Sequence, residues 1–261
     1  MKIKLPDTPY EFVSENSQEC DSSTAFVLTT QNEKYLEDAK KNGAHSIIKA
    51  EDIAPLFGVK HIKIIGITGT NGKTTTTTMI ATILDEQGFD PTVIMGGIMP
   101  RFESNFRAGQ SDIFVVEACE YKGSFLAITP DILVINNITP DHLDYFGTVE
   151  KYVDVFVQLI DNVKEGGSII IDSTQEHMAP IQARAEERNL TVIEREVYAQ
   201  SDWQLPVPGK YNEQNADFAV AASVLVGADA PDAKRVLEDE FLTAKRRFEL
   251  LGMTEDGATV H

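Results

Sequence analysis

Cysteine is almost missing from this chain. The two present among 261 residues, Cys20 and Cys119, sit in no paired motif. That excludes a disulfide framework and points to a reducing compartment. Positive charge is also scarce: Lys and Arg number 23 against 41 Asp and Glu, a formal net charge of −18. This balance argues against nucleic acid or an anionic membrane as the main partner. It leaves room for an anionic small ligand, which needs only local positive potential. No apolar run approaches the length of a membrane span. The first residues carry Asp7, Glu11, Glu15, Glu19 and Asp21 without a long apolar stretch, so no signal peptide is expected. A soluble, cytoplasmic protein is expected, and no repeat or low-complexity segment interrupts it.

What is present is enough apolar material, 42% of residues, for a sizeable core in two domains or one large one. Residues 1–60 read as a small α/β lobe. Strands are expected at 25–28 and 46–48, a helix at 33–41 ending at Asn42-Gly43, and a helical turn at 51–57 before a hinge at Gly58. From 61 onward strands and helices alternate. The strand candidates are 62–67, 92–95, 113–117, 132–136, 168–171 and 191–194. The helix candidates are 73–87, 149–162, 176–188, 212–226 and 231–241. This rhythm predicts an α/β fold with a mostly parallel sheet flanked by helices. The expected organisation is a lobe at 1–60, a central domain at 61–243 and the start of a further domain at 244–261.

The chain is organised around Gly66-Ile67-Thr68-Gly69-Thr70-Asn71-Gly72-Lys73-Thr74-Thr75. An apolar strand precedes it, and a stretch of helical spacing follows, with Met79, Ile80, Ile83 and Leu84. Strand, glycine turn, Gly-Lys-Thr and helix is the context of a phosphate-binding loop. The glycines let backbone N–H groups close around phosphate oxygens, and the helix start adds its positive dipole end. Lys73 is expected to reach the outer phosphates and Thr74 to hold Mg²⁺. The spacing is irregular, because Ile67 stands five residues before Gly72. The run Thr74–Thr78 is poor in helix propensity, but these hydroxyls can bond locally.

Ligands of such sheets sit outside the carboxyl ends of the strands. Strand 113–117 ends at Glu117, and strand 132–136 runs out through Asn137 to Asp141 and His142. Lys73, Thr74, Glu117 and His142 are therefore expected at one sheet edge, with Thr74, Glu117 and His142 as metal ligands. Taken singly, Glu117 also fits a solvated strand end and His142 a helix cap. Their convergence on the loop favours the metal site.

Five segments in order resemble the Mur ligases, ATP-dependent amino-acid ligases of peptidoglycan assembly. They are the loop Thr68–Thr75, the stretch from Glu117 to Leu126, and the stretch from Asn137 to Tyr145 with Gly147-Thr148. Pro208–Ala216 and Lys245–Glu249 complete the set. The resemblance implies a central P-loop ATPase domain between a nucleotide-sugar domain and one that brings the amino acid. It also implies the chemistry: a UDP-N-acetylmuramate-type carboxylate is activated by ATP with Mg²⁺, and an amino acid then attacks it. Carried over, Gly69, Thr70, Asn71, Gly72, Lys73, Thr74 and Thr75 cradle the phosphates, while Thr74 and Glu117 hold Mg²⁺. His142 holds a second Mg²⁺, Asn215 meets adenine and Arg247 reaches the terminal phosphate. Lys73, Glu117, His142 and Arg247 form the catalytic set.

The chain departs from the family at Cys119, Tyr121 and Lys122, and Tyr211 replaces a common histidine. No lysine lies between Lys164 and Lys210 to serve as the carbamylated metal bridge of several members, which favours the alanine-adding branch. Residues 22–49 resemble the third-residue-adding branch instead. The sequence stops at Thr259-Val260-His261, so most of a third domain is expected to be missing. Two alternatives remain at this point: a ligase like folylpolyglutamate synthase or cyanophycin synthetase, and a non-catalytic nucleotide-binding fragment or regulator.

Overall fold

The structure is a computed structural model. It describes residues 3–4, 12–14, 17–28, 33–49, 63–120, 125–126, 128–243, 252–253 and 259–260. The expected helical turn at 51–57, the hinge at Gly58 and Arg247 lie outside the described residues.

The first part of the chain contributes a four-stranded sheet. Its strands are β1 (Ile3–Lys4), β2 (Phe12–Ser14), β3 (Thr24–Leu28) and β4 (Ser46–Lys49), hydrogen-bonded in that order. Between β3 and β4 the expected helix begins as a single 3₁₀ turn at Glu33–Tyr35 and continues as α1 (Leu36–Lys41). It stops at Gly43, whose φ of 86° suits a residue without a side chain.

The second sheet has seven strands: β5 (Lys63–Thr68), β6 (Thr92–Met99), β7 (Ser104–Arg107), β8 (Ile113–Glu117), β9 (Ile132–Ile135), β10 (Ser168–Ile171) and β11 (Thr191–Glu194). Their order is β11-β10-β9-β5-β8-β6-β7. Every pairing is parallel except β6 with β7. The mostly parallel α/β sheet expected from the alternation is therefore what forms. Two strand readings need correction. β6 runs on through Gly96-Gly97 to Met99, and polar Ser104–Arg107 adds an antiparallel edge that no apolar pattern announces.

Seven helices complete the described part. After α1 come α2 (Lys73–Glu86), α3 (Leu143–Phe146), α4 (Val149–Asn162), α5 (Ala179–Glu187), α6 (Lys210–Val224) and α7 (Ala230–Asp239). Strand alternation decides what each covers. Ile65 and Ile67 of β5, with Val115 and Val134, face α2, α6 and α7 through Met79, Ile80, Ile83, Phe218 and Leu237. On the other face, Leu133, Ile135, Ile169 and Ile171 meet Tyr152, Phe156 and Leu159 of α4 and Ile181 of α5. The rest of that face, Ile94, Phe114 and Val116, is covered by Ala25 and Val27 of β3. The first sheet thus closes the second where no helix does.

α4 is a regular amphipathic helix. Thr148 caps it by accepting from Lys151 N, and Tyr152, Val153, Phe156, Leu159 and Ile160 line one buried face. α2 is buried nearly all round, from Thr74 to Leu84 with only Thr75 partly exposed. Its threonines are tolerated there because their hydroxyls bond backward. Thr77 donates to Lys73 O, Thr78 to Thr74 O and Thr82 to Thr78 O, each at 2.8 Å.

Candidate active site

β5 is the centre of the sheet, and its neighbours β8 and β9 run parallel to it. Their carboxyl ends therefore meet at one edge, where the loop between β5 and α2 emerges. Two glycines fix that loop. Gly69 has φ 126°, and a Cβ there would lie 2.9 Å from both the N and O of Asn137. Gly72 has φ 85°, and a Cβ there would fall onto Asn215 Oδ1 and Asn136 Nδ2. The loop backbone is thus pressed against β9 on one side and α6 on the other, and any side chain would hold it off.

The turn leaving β9 clamps the loop. Thr70 N donates to Asn137 O at 3.0 Å, Asn71 N to Asn137 Oδ1 at 2.9 Å, and Asn137 Nδ2 to Asn71 O at 3.0 Å. Thr70 Oγ1 donates to Thr139 O and accepts from Thr139 N. Its one proton being so used, the Tyr152 hydroxyl donates to it at 2.9 Å. Burial pushes the Tyr152 phenol well above the ordinary tyrosine range, partly offset by the Thr70 bond, so it stays a donor.

The structure brings most of the expected residues together. Thr74 Oγ1 donates to Glu117 Oε1 at 3.0 Å, and Gly96 N donates to Glu117 Oε2 at 2.8 Å. Two oxygen donors from adjacent elements therefore face each other at the start of α2, where the first N–H groups of the helix have no intrahelical carbonyl. Mg²⁺ fits this set: it takes few protein oxygens, keeps several waters and shares phosphate oxygens. Among the described residues no three His, Cys, Asp or Glu side chains cluster as a ready-made metal cage. His142 lies five residues beyond Asn137, on the segment that leaves the clamping turn. It caps α3 in a left-handed conformation, φ 51°, with its N–H on Asp141 Oδ1 at 2.7 Å and its ring 3.7 Å from Asp141 Oδ2.

Beside the loop lies a cavity of about 620 Å³, lined among others by Asn71, Gly72, Asn136, Tyr211, Asn212 and Asn215. Asn136 Nδ2 donates to Thr76 Oγ1 at 2.7 Å and to Asn215 Oδ1 at 2.9 Å, while its own Oδ1 is buried without a donor. An orphaned acceptor beside an amide-lined cavity fits a ligand with polar edges, such as a purine. Asn215, expected from the sequence to meet adenine, lines this cavity. By contrast, the sequence places Asn136 at a strand end and Asn137 at the head of a segment resembling the family, and gives neither a role in the site, although an Asn-Asn pair at the end of a central strand is the available signal.

Behind the cavity is a buried ionic chain. Gln175 Nε2 donates to Asn136 O at 3.1 Å and to Asp172 Oδ2 at 3.3 Å. Arg195 joins Asp172 at 3.1 Å to Asp217 at 2.9 Å. Burial works against the Asp172 charge, but Thr174, Gln175 and Arg195 overcome it and hold the carboxyl below its ordinary range. At Asp217 burial prevails and raises the pKa, in spite of donors from Gln200 N, Trp203 and Arg195.

The model of the Mur ligase middle domain matches residues 67–204. The UDP-N-acetylmuramate–L-alanine ligase of Brucella anthropi is 32% identical, over 91% of this chain and 57% of that protein. The enzyme of the same name from Caldanaerobacter subterraneus is 35% identical, over 75% of this chain and 47% of that protein. The chain therefore spans about half the length of the curated relatives it matches. Among solved structures, MurF from Acinetobacter baumannii superposes with a TM-score of 0.70 at 18% identity, covering 97% of this chain and 67% of that one. UDP-N-acetylmuramate–alanine ligase from Thermotoga maritima gives 0.63 at 21%, covering 89% and 57%. The two structures share the fold, the domain model runs from β5 past β11, and the chain belongs to the Mur ligase family.

Proposed function

We propose that this chain is the nucleotide-binding part of an ATP-dependent acid–amino-acid ligase. It works in the cytoplasm on a UDP-N-acetylmuramate-type nucleotide sugar in peptidoglycan-precursor synthesis. One observation carries the reading: Lys73, Thr74 and Glu117 stand at the same sheet edge as a neutral, amide-lined cavity. The name shared by the matched relatives supplies the acceptor and the amine, L-alanine.

In this reading residues 61–243 are the ATPase unit, 1–60 an acceptor-side lobe and 244–261 the approach to the region that delivers the amine. The acceptor carboxylate takes the terminal phosphoryl group of ATP. The amine nitrogen then attacks the activated carbonyl, phosphate leaves, and an amide remains. The protein's share is positioning and charge neutralisation. Lys73 and the N–H groups of Gly72 through Thr75 hold the phosphates against the start of α2, while Gly69 shapes the loop and the N–H groups of Thr70 and Asn71 fix it to Asn137. Thr74 and Glu117 hold Mg²⁺, which when bound neutralises phosphate oxygens as a Lewis acid. His142 is assigned to a second Mg²⁺, Asn215 to the adenine edge and Arg247 to the terminal phosphate.

Calorimetric titration with ATP and Mg²⁺ tests the nucleotide half, with saturable one-to-one binding expected. No binding at millimolar ATP would overturn it. For the ligase half, the complete gene product should release phosphate from ATP only when UDP-N-acetylmuramate and the amino acid are both present. Release independent of both would overturn that assignment.

A further inference from the structure

Lys73 is already engaged within the loop. Its ammonium donates to Gly69 O at 2.5 Å and Thr70 O at 3.1 Å, and it lies 2.8 Å from Glu120 Oε2. The Glu120 side chain is only 3% exposed, and Oε2 has no aligned hydrogen-bond donor. A buried carboxylate oxygen without an aligned donor is unstable unless a charge compensates it, and here Lys73 does so. Glu117, three residues earlier, is turned instead to Thr74 and Gly96. Among the described residues, the phosphate end of the cavity thus brings together two carboxylates, Glu117 and Glu120, and the ammonium of Lys73, which pairs with Glu120.

We infer that Glu120 is a positioning residue that holds Lys73 against the loop carbonyls and, by its charge, makes the site accept a nucleotide only together with a divalent cation. The inference rests on the nucleotide reading above. A metal-free polyphosphate must draw Lys73 from Glu120 and then sit beside two carboxylates. A divalent cation brought with the phosphates offsets both. Removing the Glu120 charge at constant shape relieves the metal-free ligand most, because it has no cation of its own. A unit charge a few ångströms away in a half-screened site changes affinity by about tenfold or more.

The test is calorimetry of wild type and Glu120→Gln with ATP, once in EDTA and once in Mg²⁺. In Glu120→Gln, metal-free ATP should bind about tenfold tighter while Mg·ATP changes less than about threefold, so the wild-type preference for the metal complex collapses. Glu120→Asp, which keeps the charge, should retain that preference. If circular dichroism shows that Glu120→Gln does not fold, Glu120→Ser provides the same comparison with room for a water. An unchanged ratio between the two forms of ATP would overturn the inference and leave the nucleotide reading intact, and so would equal weakening of both. Wild type binding neither form would overturn the nucleotide reading and this inference with it.

Discussion

At the Lys73 end of the cavity the polar contacts join charged groups to a backbone loop: ammonium to carbonyls and Glu120, carboxylate of Glu117 to hydroxyl and amide N–H. At the Asn215 end they run from amide to amide through Asn136, Asn215 and Asn212. The charged end exerts a force that reaches across water and tolerates displacement. The amide end acts only at contact and only on groups whose donors and acceptors match. In the proposed nucleotide reading, the charged end holds the metal-bound polyphosphate, and the amide end selects what is attached to it.

The largest effect that would break this division is at the charged end. Lys73→Ala should weaken Mg·ATP binding by more than roughly tenfold, about 1.4 kcal/mol, and weaken inorganic tripolyphosphate with magnesium by a similar factor. Calorimetry giving mutant and parent the same ATP affinity would remove Lys73 from the phosphate site.

A smaller effect is expected at the amide end. Asn215→Ala takes away one neutral hydrogen-bonding group, so ATP should lose about fivefold, on the order of 1 kcal/mol. Tripolyphosphate should stay within about twofold of wild type. If both ligands lose alike, the two ends act as one, and the contrast drawn here is wrong.

The smallest effect on binding is expected behind the amide end, at Asp172, where the readout is stability against pH. The folded-state pKa of Asp172 is depressed, so its stabilising contribution is fully present above the unfolded value of about 4 and is lost as pH falls through the lower folded value. Asp172→Asn should therefore be less stable than wild type in urea near neutral pH, with the gap narrowing as pH drops below about 4. A gap that widens with acid would mean that the ordering of Asp172, Gln175 and Asn136 is not ionic in origin.

The parts legible in the sequence are those fixed by local pattern. β5, the glycines at 69 and 72, Lys73 and Thr74 form one continuous stretch whose spacing states its own geometry. Glu117 was reachable because a strand's last residue in a parallel sheet points to a known edge. Glu120 as the partner of Lys73 was not legible: its segment leaves β8 in no regular structure, so no period says where its carboxylate turns. Asn136 and Asn137 are set by contacts to residues 60 and 66 positions away, which no window sees. β7 escaped because Ser104–Arg107 is a half-exposed edge strand with only Ser104 buried, and such strands need no apolar run. Burial of five threonines in α2 ran against propensity, and it is explained by the backward hydroxyl bonds of Thr77, Thr78 and Thr82 and by the bonds of Thr74 to Glu117 and of Thr76 to Asn136.

The placement of β5 between β8 and β9 also sets the order in which a ribosome can deliver the site. β5 leaves the tunnel before either neighbour has been synthesised, and its two ladders close only when residues 113–117 and 132–135 have followed. The wall that holds Gly72 arrives later still, with Asn215 on α6. Contacts this distant in sequence form slowly, and an unpaired central strand is open to wrong partners meanwhile. The run of Ile64, Ile65 and Ile67 that makes β5 a good centre for the finished sheet is therefore, until both neighbours arrive, an apolar segment of the nascent chain without its ladder partners.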